Sequence, residues 1–320
     1  MISSVQKSGM RPQFPSVRTY LKNFLLGLED WESRDLIELQ KYASGEMIEI
    51  RLEAEGQVLV LPFNIGAVAS RMSRVSVAYR WMAVQAMLGE HEGATVLWMR
   101  SVAYKYWKSR IEIRFHTHAL AQFKQGERPQ KLKMLLLHQF GAVIANCLSL
   151  GWTDWAIDLT KKARWGLDNE LFNDGDDESH RRTHHFILRL VGRWQDWPER
   201  EEPSCAFDEP LFNVLLDGWA TLSPDEIAPL LIAACDRHTY QARPDSNKAC
   251  FDMPYSGLEY DPFEVLAVMK LRELHGLPNP VLDHVLLNTP LGRLPSSTAP
   301  YTDKLLDGVL AQARCEFFDL

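Results

Sequence analysis

Residues 131–178 read KLKMLLLHQFGAVIANCLSLGWTDWAIDLTKKARWGLDNELFNDGDDE. Leu132, Leu136, Phe140, Val143, Cys147 and Leu150 recur at steps of three and four, which lays one apolar stripe along a helix of about five turns. Gly151 ends that helix. Trp152 and Ile157 are placed to staple around an N-cap at Thr153, and Asp154 meets the positive end of the next helix dipole. This second helix is expected to run to about Leu167, with Lys161, Lys162 and Arg164 in its last turns, where a helix C-terminus favours positive charge. From Asp168 to Glu178, eleven residues then hold six acids and no base. The stretch therefore predicts an antiparallel helix pair ending in an exposed anionic loop, a scaffold that displays a charged surface and needs no catalytic motif.

Similar pairs are spaced along the rest of the chain. Residues 1–15, with Pro12 and Pro15, read as a loose entry, followed by helices through Tyr20, Phe24 and Leu28 and through Leu36 and Leu39. Between Met47 and Phe63 the pattern changes: Ile48, Ile50 and Leu52 alternate with Glu49, Arg51 and Glu53, a turn follows at Ala54-Glu55-Gly56, and the segment reads as a β-hairpin. Asn64 is placed to cap a long helix ended by Gly89. Residues 95–123 are predicted helical, although Ile111 to Phe115 alternate like a strand. Their rings, Trp98, Tyr104 and Trp107 among them, read as core and not as a base-stacking surface. Lys124 to Pro129 reads as the domain boundary. Further helices are expected over 179–191 and 211–220, after the cap Ser223-Pro224-Asp225-Glu226, from Pro262 to Leu274, and after Thr302. Residues 239–261 and the proline-rich 277–300 read as irregular. The expected architecture is mainly α, a helical-hairpin bundle in two subdomains with at most one small β-hairpin near residues 47–63. The N-terminal helical domain is placed at 1–126 and the acidic C-terminal helical domain at 127–320.

The formal charge of −7 is unevenly spread. Residues 1–150 carry 19 Lys+Arg against 13 Asp+Glu, and residues 151–320 carry 16 against 29. A balance of −13 in one half disfavours nucleic acid as a direct partner and favours a basic protein. No run approaches the length of about 18 apolar residues that a membrane span needs. The first nine residues lack the apolar core of a secretory signal. Five scattered cysteines (147, 205, 235, 250, 315), without a C-x-x-C pair, suit reduced thiols. A cytoplasmic protein is expected.

Catalytic and metal motifs are weak. His180 and His184 have zinc-ligand spacing, but Arg181 stands where H-E-x-x-H has its Glu, and Arg182 adds charge that opposes a cation. Asp174 to Glu178 lacks the EF-hand order. Ser4-Val5-Gln6-Lys7 matches S-x-x-K without its companion motifs. No enzyme, cofactor or metal is expected from the motifs.

Leu150-Gly151-Trp152-Thr153-Asp154-Trp155-Ala156 and Asp261-Pro262-Phe263-Glu264-Val265, followed by Lys270 and Gly276-Leu277, resemble the C-terminal helical domain of type VI secretion immunity proteins, the PoNi-like and TsiT-like antidotes to nuclease toxins. The resemblance spans about residues 130–295. After Leu277 the chain departs from it, with Asn288-Thr289-Pro290-Leu291-Gly292 in place of a tyrosine-rich ending. The resemblance implies an acidic helical inhibitor that occupies a toxin's DNA-binding cleft. The expected partner is accordingly a cognate protein toxin, and the expected docking surface is two acidic loops. One holds Asp168, Glu170, Phe172, Asp174, Asp176, Asp177 and Glu178. The other holds Trp197, Glu199, Glu201, Glu202, Asp208 and Glu209. In each one apolar side chain, Phe172 or Trp197, is the expected anchor within an anionic rim. A tetratricopeptide-like adaptor or chaperone is the alternative reading, and a metal-dependent hydrolase built on the histidines the third.

Overall fold

A computed structural model describes residues 9–11, 14–24, 31–46, 49–54, 57–62, 65–89, 91–122, 135–172, 181–247, 249–254, 257–316 and 320. The described residues are mainly helical. In chain order the elements are α1 (Val17–Phe24), α2 (Trp31–Ala43), β1 (Glu49–Ala54), β2 (Gln57–Pro62), α3 (Ile65–Leu88), α4 (Ala94–Gln122), α5 (Leu137–Ser149), α6 (Thr153–Asp168), α7 (Arg182–Trp194), α8 (Pro210–Gly218), α9 (Pro224–Gln241), α10 (Phe263–Leu274) and α11 (Lys304–Glu316), with 3-10 turns at Ser204–Phe207 and Pro290–Gly292. Among the described residues no helix is long and apolar enough to cross a membrane.

The chain divides into two compact units whose termini are exchanged: unit 1 comprises Met1–Thr19 and Leu136–Ala299, unit 2 Tyr20–Leu135 and Pro300–Leu320. The units are thus not the continuous ranges 1–126 and 127–320. The expected boundary at 124–129 lies outside the described residues, as does the cap position Asn64. The N-terminal entry is held in unit 1, because the Gly9 amide donates to Asp236 Oδ2 (2.8 Å), the Arg11 amide to Thr239 Oγ1 (2.9 Å) and the Tyr260 hydroxyl to the Pro15 carbonyl (2.6 Å).

Unit 2 is built on the antiparallel pair α3 and α4. Reciprocal hydrogen bonds join them midway, Ser76 Oγ to the Ser101 carbonyl (2.9 Å) and Ser101 Oγ to the Ser76 carbonyl (2.8 Å). The alternation at 111–115 does not interrupt α4, since Ile111 and Ile113 are both buried within a continuous helix. Buried Asp35 ties α2 to α3 through Arg71 (3.0 Å) and Arg74 (2.6 Å). Tyr104 and Trp98 are core as expected, whereas Trp107 is half-buried between Arg110 and Arg314. The C-terminal segment joins this unit because Asp303 pairs with Arg100 (3.0 Å) and accepts from the Tyr104 hydroxyl (3.1 Å). Asp303 Oδ1 also accepts the Leu306 amide (2.8 Å), so Asp303 caps α11 and Thr302 does not. β1 and β2 pair antiparallel from Glu49 opposite Pro62 to Ala54 opposite Gln57, the hairpin that the alternation predicted.

Unit 1 surrounds α5, whose residues are buried with one exception, Gln139. α6, α7 and α10 pack against it. Gly141 lets α7 approach closely: a Cβ there would stand 2.5 Å from His184 Nδ1. At the end of α5, Gly151 takes φ +77 and the amides of Gly151 and Trp152 return to the carbonyls of Leu148 (2.8 Å) and Cys147 (2.8 Å), the Schellman pattern. Trp152 is therefore at once the last residue of that turn and the N-cap of α6, one position before the expected Thr153. At α9 the expected cap is present: the Glu226 amide donates to Ser223 Oγ and the Ser223 amide to Glu226 Oε2.

Candidate interaction surface

α6, α7 and α8 end in one neighbourhood of unit 1 and bring the described parts of both acidic loops together there. α6 closes with Glu170 and α7 with Asp196, and both close as α5 does: the Glu170 and Leu171 amides return to Leu167 and Gly166, those of Asp196 and Trp197 to Arg193 and Gly192. The difference is that Glu170 and Asp196 occupy the left-handed region, both at φ 50, where Gly151 stands in α5. An L residue there costs about 1–2 kcal/mol.

The two expected anchors separate. Phe172 is 0% exposed and sits edge-on to Phe140 of α5 at 5.3 Å. It is core, because the turn after α6 sends Leu171 and Phe172 inward. Trp197 remains partly exposed. Lys161 and Arg164 of α6 lie over its ring at 5.5 and 5.4 Å, and Arg164 Nη2 donates to the Pro198 carbonyl (2.7 Å). Gly192 of α7 leaves room for Arg164, whose Nη1 would be 3.1 Å from a Cβ there. Trp165 and Phe207 are also exposed in this region, Trp165 sharing the outer face of α6 with Lys161 and Asp168.

The loops were expected to display an exposed anionic surface, and the described acids are mostly paired with arginine. Arg200 binds Asp168 Oδ1 through Nε and Glu202 Oε2 through Nη1 (3.0 Å). Arg193 lies 3.2 Å from Glu199 and 3.6 Å from Asp217, and Arg182 lies 3.8 Å from Asp208. Glu202, with its side chain only 6% exposed, also lies 3.3 Å from buried His185 Nδ1. Glu209 turns inward to Arg237 Nε (2.5 Å). Arg237 in turn holds buried Asp252 (2.5 Å) and donates to Thr183 Oγ1 (2.8 Å). Burial opposes the Asp252 charge, but Arg237 and the Thr183 hydroxyl outweigh it and keep the carboxyl below its ordinary value. Glu170 and Glu201 are exposed, and Glu201 has no ion-pair partner among the described residues. Asp174, Asp176, Asp177 and Glu178 lie outside the described residues.

Four arginines that the acid count overlooked, Arg164, Arg189, Arg193 and Arg200, converge on a cavity of about 60 Å³ that Trp197, Pro198, Glu199, Glu202 and Phe207 also line. Arg189 lies 4.2 Å from the Phe207 ring centroid and donates to the Ala206 carbonyl (2.7 Å) and Asn213 Oδ1 (2.9 Å). Burial pushes its pKa down, against the pull of Glu202. The one available signal was the four-residue spacing of Arg189 and Arg193, which puts both on one face once the helix predicted over 179–191 runs on to Trp194.

Of the histidine pair only His184 is among the described residues. His180 lies outside them, and His184 is buried with Nε2 donating to the Asp252 carbonyl (2.8 Å). Among the described residues no three His, Cys, Asp or Glu side chains are grouped as a metal ion requires. Compared with protein-family models, with curated proteins and with solved structures, the chain matches none.

Proposed function

We propose that this chain is a non-enzymatic immunity protein that neutralises a cognate antibacterial toxin, a basic nuclease, by covering its active-site and DNA-binding surface. One observation carries the reading. The acid excess belongs to one structural unit: residues 1–19 and 136–299 carry 17 Lys+Arg against 25 Asp+Glu, a balance of −8, whereas unit 2 stands at +1. In that acidic unit three aromatic side chains, Trp165, Trp197 and Phe207, are left accessible at the ends of α6 and α7 and just before α8. Summed charge of this sign steers a basic partner inward and raises the association rate, while aromatic groups that lose water on contact slow release. Two acids held in left-handed backbone beside those rings fit the same reading, since local strain collects where a surface is used. The resemblance to type VI antidotes supplies the partner class.

The test is to produce the protein encoded by the neighbouring reading frame. A one-to-one complex that abolishes its nuclease activity, and protection of cells that express both proteins, are expected. A neighbouring product that shows no complex and remains toxic in the presence of this chain would overturn the reading.

A further inference from the structure

At the cavity beside Trp197 the four acids match the four arginines in number but pair directly with only two of them. Arg200 is matched by Asp168 and Glu202. Arg193 faces Glu199 and Asp217, whose side chains are 83% and 71% exposed, so water competes for both. Arg164 and Arg189 have no carboxylate within ion-pair distance among the described residues. Their hydrogen bonds go to the neutral oxygens of Pro198, Ala206 and Asn213, and their guanidinium carbons lie over the rings of Trp197 and Phe207, 5.4 and 4.2 Å from the centroids. A guanidinium carries five N–H donors in a planar fork, of which Arg164 uses one on the protein and Arg189 two. Two half-used forks that share one small cavity suit an acceptor with two coplanar oxygens, because parallel charge-assisted bonds satisfy both donors at once.

We propose that this cavity is a carboxylate subsite that takes an aspartate or glutamate side chain of the protein partner. The inference rests on the protein-partner reading above and adds a second sign to it: an acidic unit draws in a basic partner, and a basic pocket accepts one acid from it. A nucleic-acid phosphate is the weaker fit. A polyanion would meet unit 1 at −8 and the exposed Glu199 and Glu201 before reaching the cavity, whereas one carboxylate within a basic protein surface would not.

The probe is N-acetylglutamate N-methylamide, titrated into the full chain at low salt by calorimetry, with the glutamine analogue and a ten-nucleotide oligothymidine as comparisons. Saturable heat with the glutamate probe and none with the glutamine analogue is expected, weakened about tenfold or more in Arg164→Gln and Arg189→Lys, each of which removes charge-assisted bonds. Arg189 also holds the Ala206 carbonyl and Asn213, so if Arg189→Lys lowers the melting temperature, Arg164→Gln alone decides. No saturation by the glutamate probe, equal binding in a folded Arg164→Gln variant, or oligothymidine that binds more tightly and displaces the probe would each overturn the assignment. The probe contains no toxin, so this subsite and the neutralising activity can fail separately.

Discussion

Phe172 and Trp197 look alike in the sequence, each an aromatic in an acidic loop, and the structure predicts opposite consequences for removing them. Phe172 is fully buried against Phe140. About 150 Å² of apolar surface at about 25 cal/mol per Å² is about 4 kcal/mol, and core Phe truncations fall in the same range of about 3–5 kcal/mol. Trp197 keeps part of its surface in water and gains mainly from Lys161 and Arg164, at about 0.5–1 kcal/mol per exposed cation and ring. Trp197→Ala should therefore cost only about 1–2 kcal/mol of stability. Urea denaturation followed by circular dichroism measures both, with peptide-level hydrogen exchange reporting unit 1 separately, since two units need not unfold in one step. Binding to the toxin reverses the order. A folded Trp197→Ala chain should lose roughly 2 kcal/mol or more of affinity, about thirtyfold, mostly as faster dissociation. Phe172→Ala, at a urea concentration where it is still folded, should bind nearly as the parent does. A stable Phe172→Ala variant with weakened binding would refute this division, as would a Trp197→Ala variant that unfolds like a core mutant.

Three other outcomes are expected. Burial holds His184 neutral, with its pKa pushed down to about 4. The fold thus refuses a proton that the unfolded chain accepts below its ordinary value of about 6.5, and stability should be full above that pH and fall by up to about 3 kcal/mol towards pH 4. His238 has the opposite sign: burial opposes its charge, but Glu264 raises its pKa, so its contribution is present in acid and lost as pH rises. Denaturation midpoints at pH 7 and pH 4.5 measure the loss, and a His184→Gln variant with undiminished acid sensitivity would contradict the assignment. At Gly141 helix propensity favours Ala by about 1 kcal/mol, but a Cβ there would lie within 3.0 Å of three His184 atoms, and overpacking costs about 1–3 kcal/mol; Gly141→Ala should lower the melting temperature, and a rise would show that α5 and α7 can part. Glu170→Gly and Asp196→Gly should each stabilise by up to about 1 kcal/mol, since the relief of left-handed strain exceeds the extra entropy of glycine; thermal melting that shows a loss for both would mean that these acids hold the turns.

The helices were legible because each depends on short-range order. The stripe from Leu136 to Leu150 falls on α5, which runs from Leu137 to Ser149 and is buried on nearly every side, Gly151 ends it, and Ser223 to Glu226 form the predicted box. The hairpin followed from its period of two. What the sequence hid is long-range. Gly9 and Arg11 reach Asp236 and Thr239, and Asp303 reaches Arg100, which exchanges the termini between the units in a way no local composition records. The character of the surface was missed for the same reason. Counting acids along a loop cannot show that Arg200 returns to Asp168 or that Arg164 comes up against α7 at Gly192, so two loops read as an anionic surface contain ion pairs and a cavity lined by four arginines. Trp197 stays partly accessible, whereas Phe172 was lost to a turn whose left-handed residue is a glutamate and so carries no glycine signature.

The central claim is that the acidic unit meets the partner around Trp197. Hydrogen exchange of the full chain, free and saturated with the protein encoded by its neighbouring reading frame, tests it most directly. Slowed exchange at the end of α6 and over residues 195–209 is predicted, with Trp197→Ala reducing it. A complex that protects only segments of unit 2 and leaves 161–170 and 195–209 exchanging at their free rates would contradict the account.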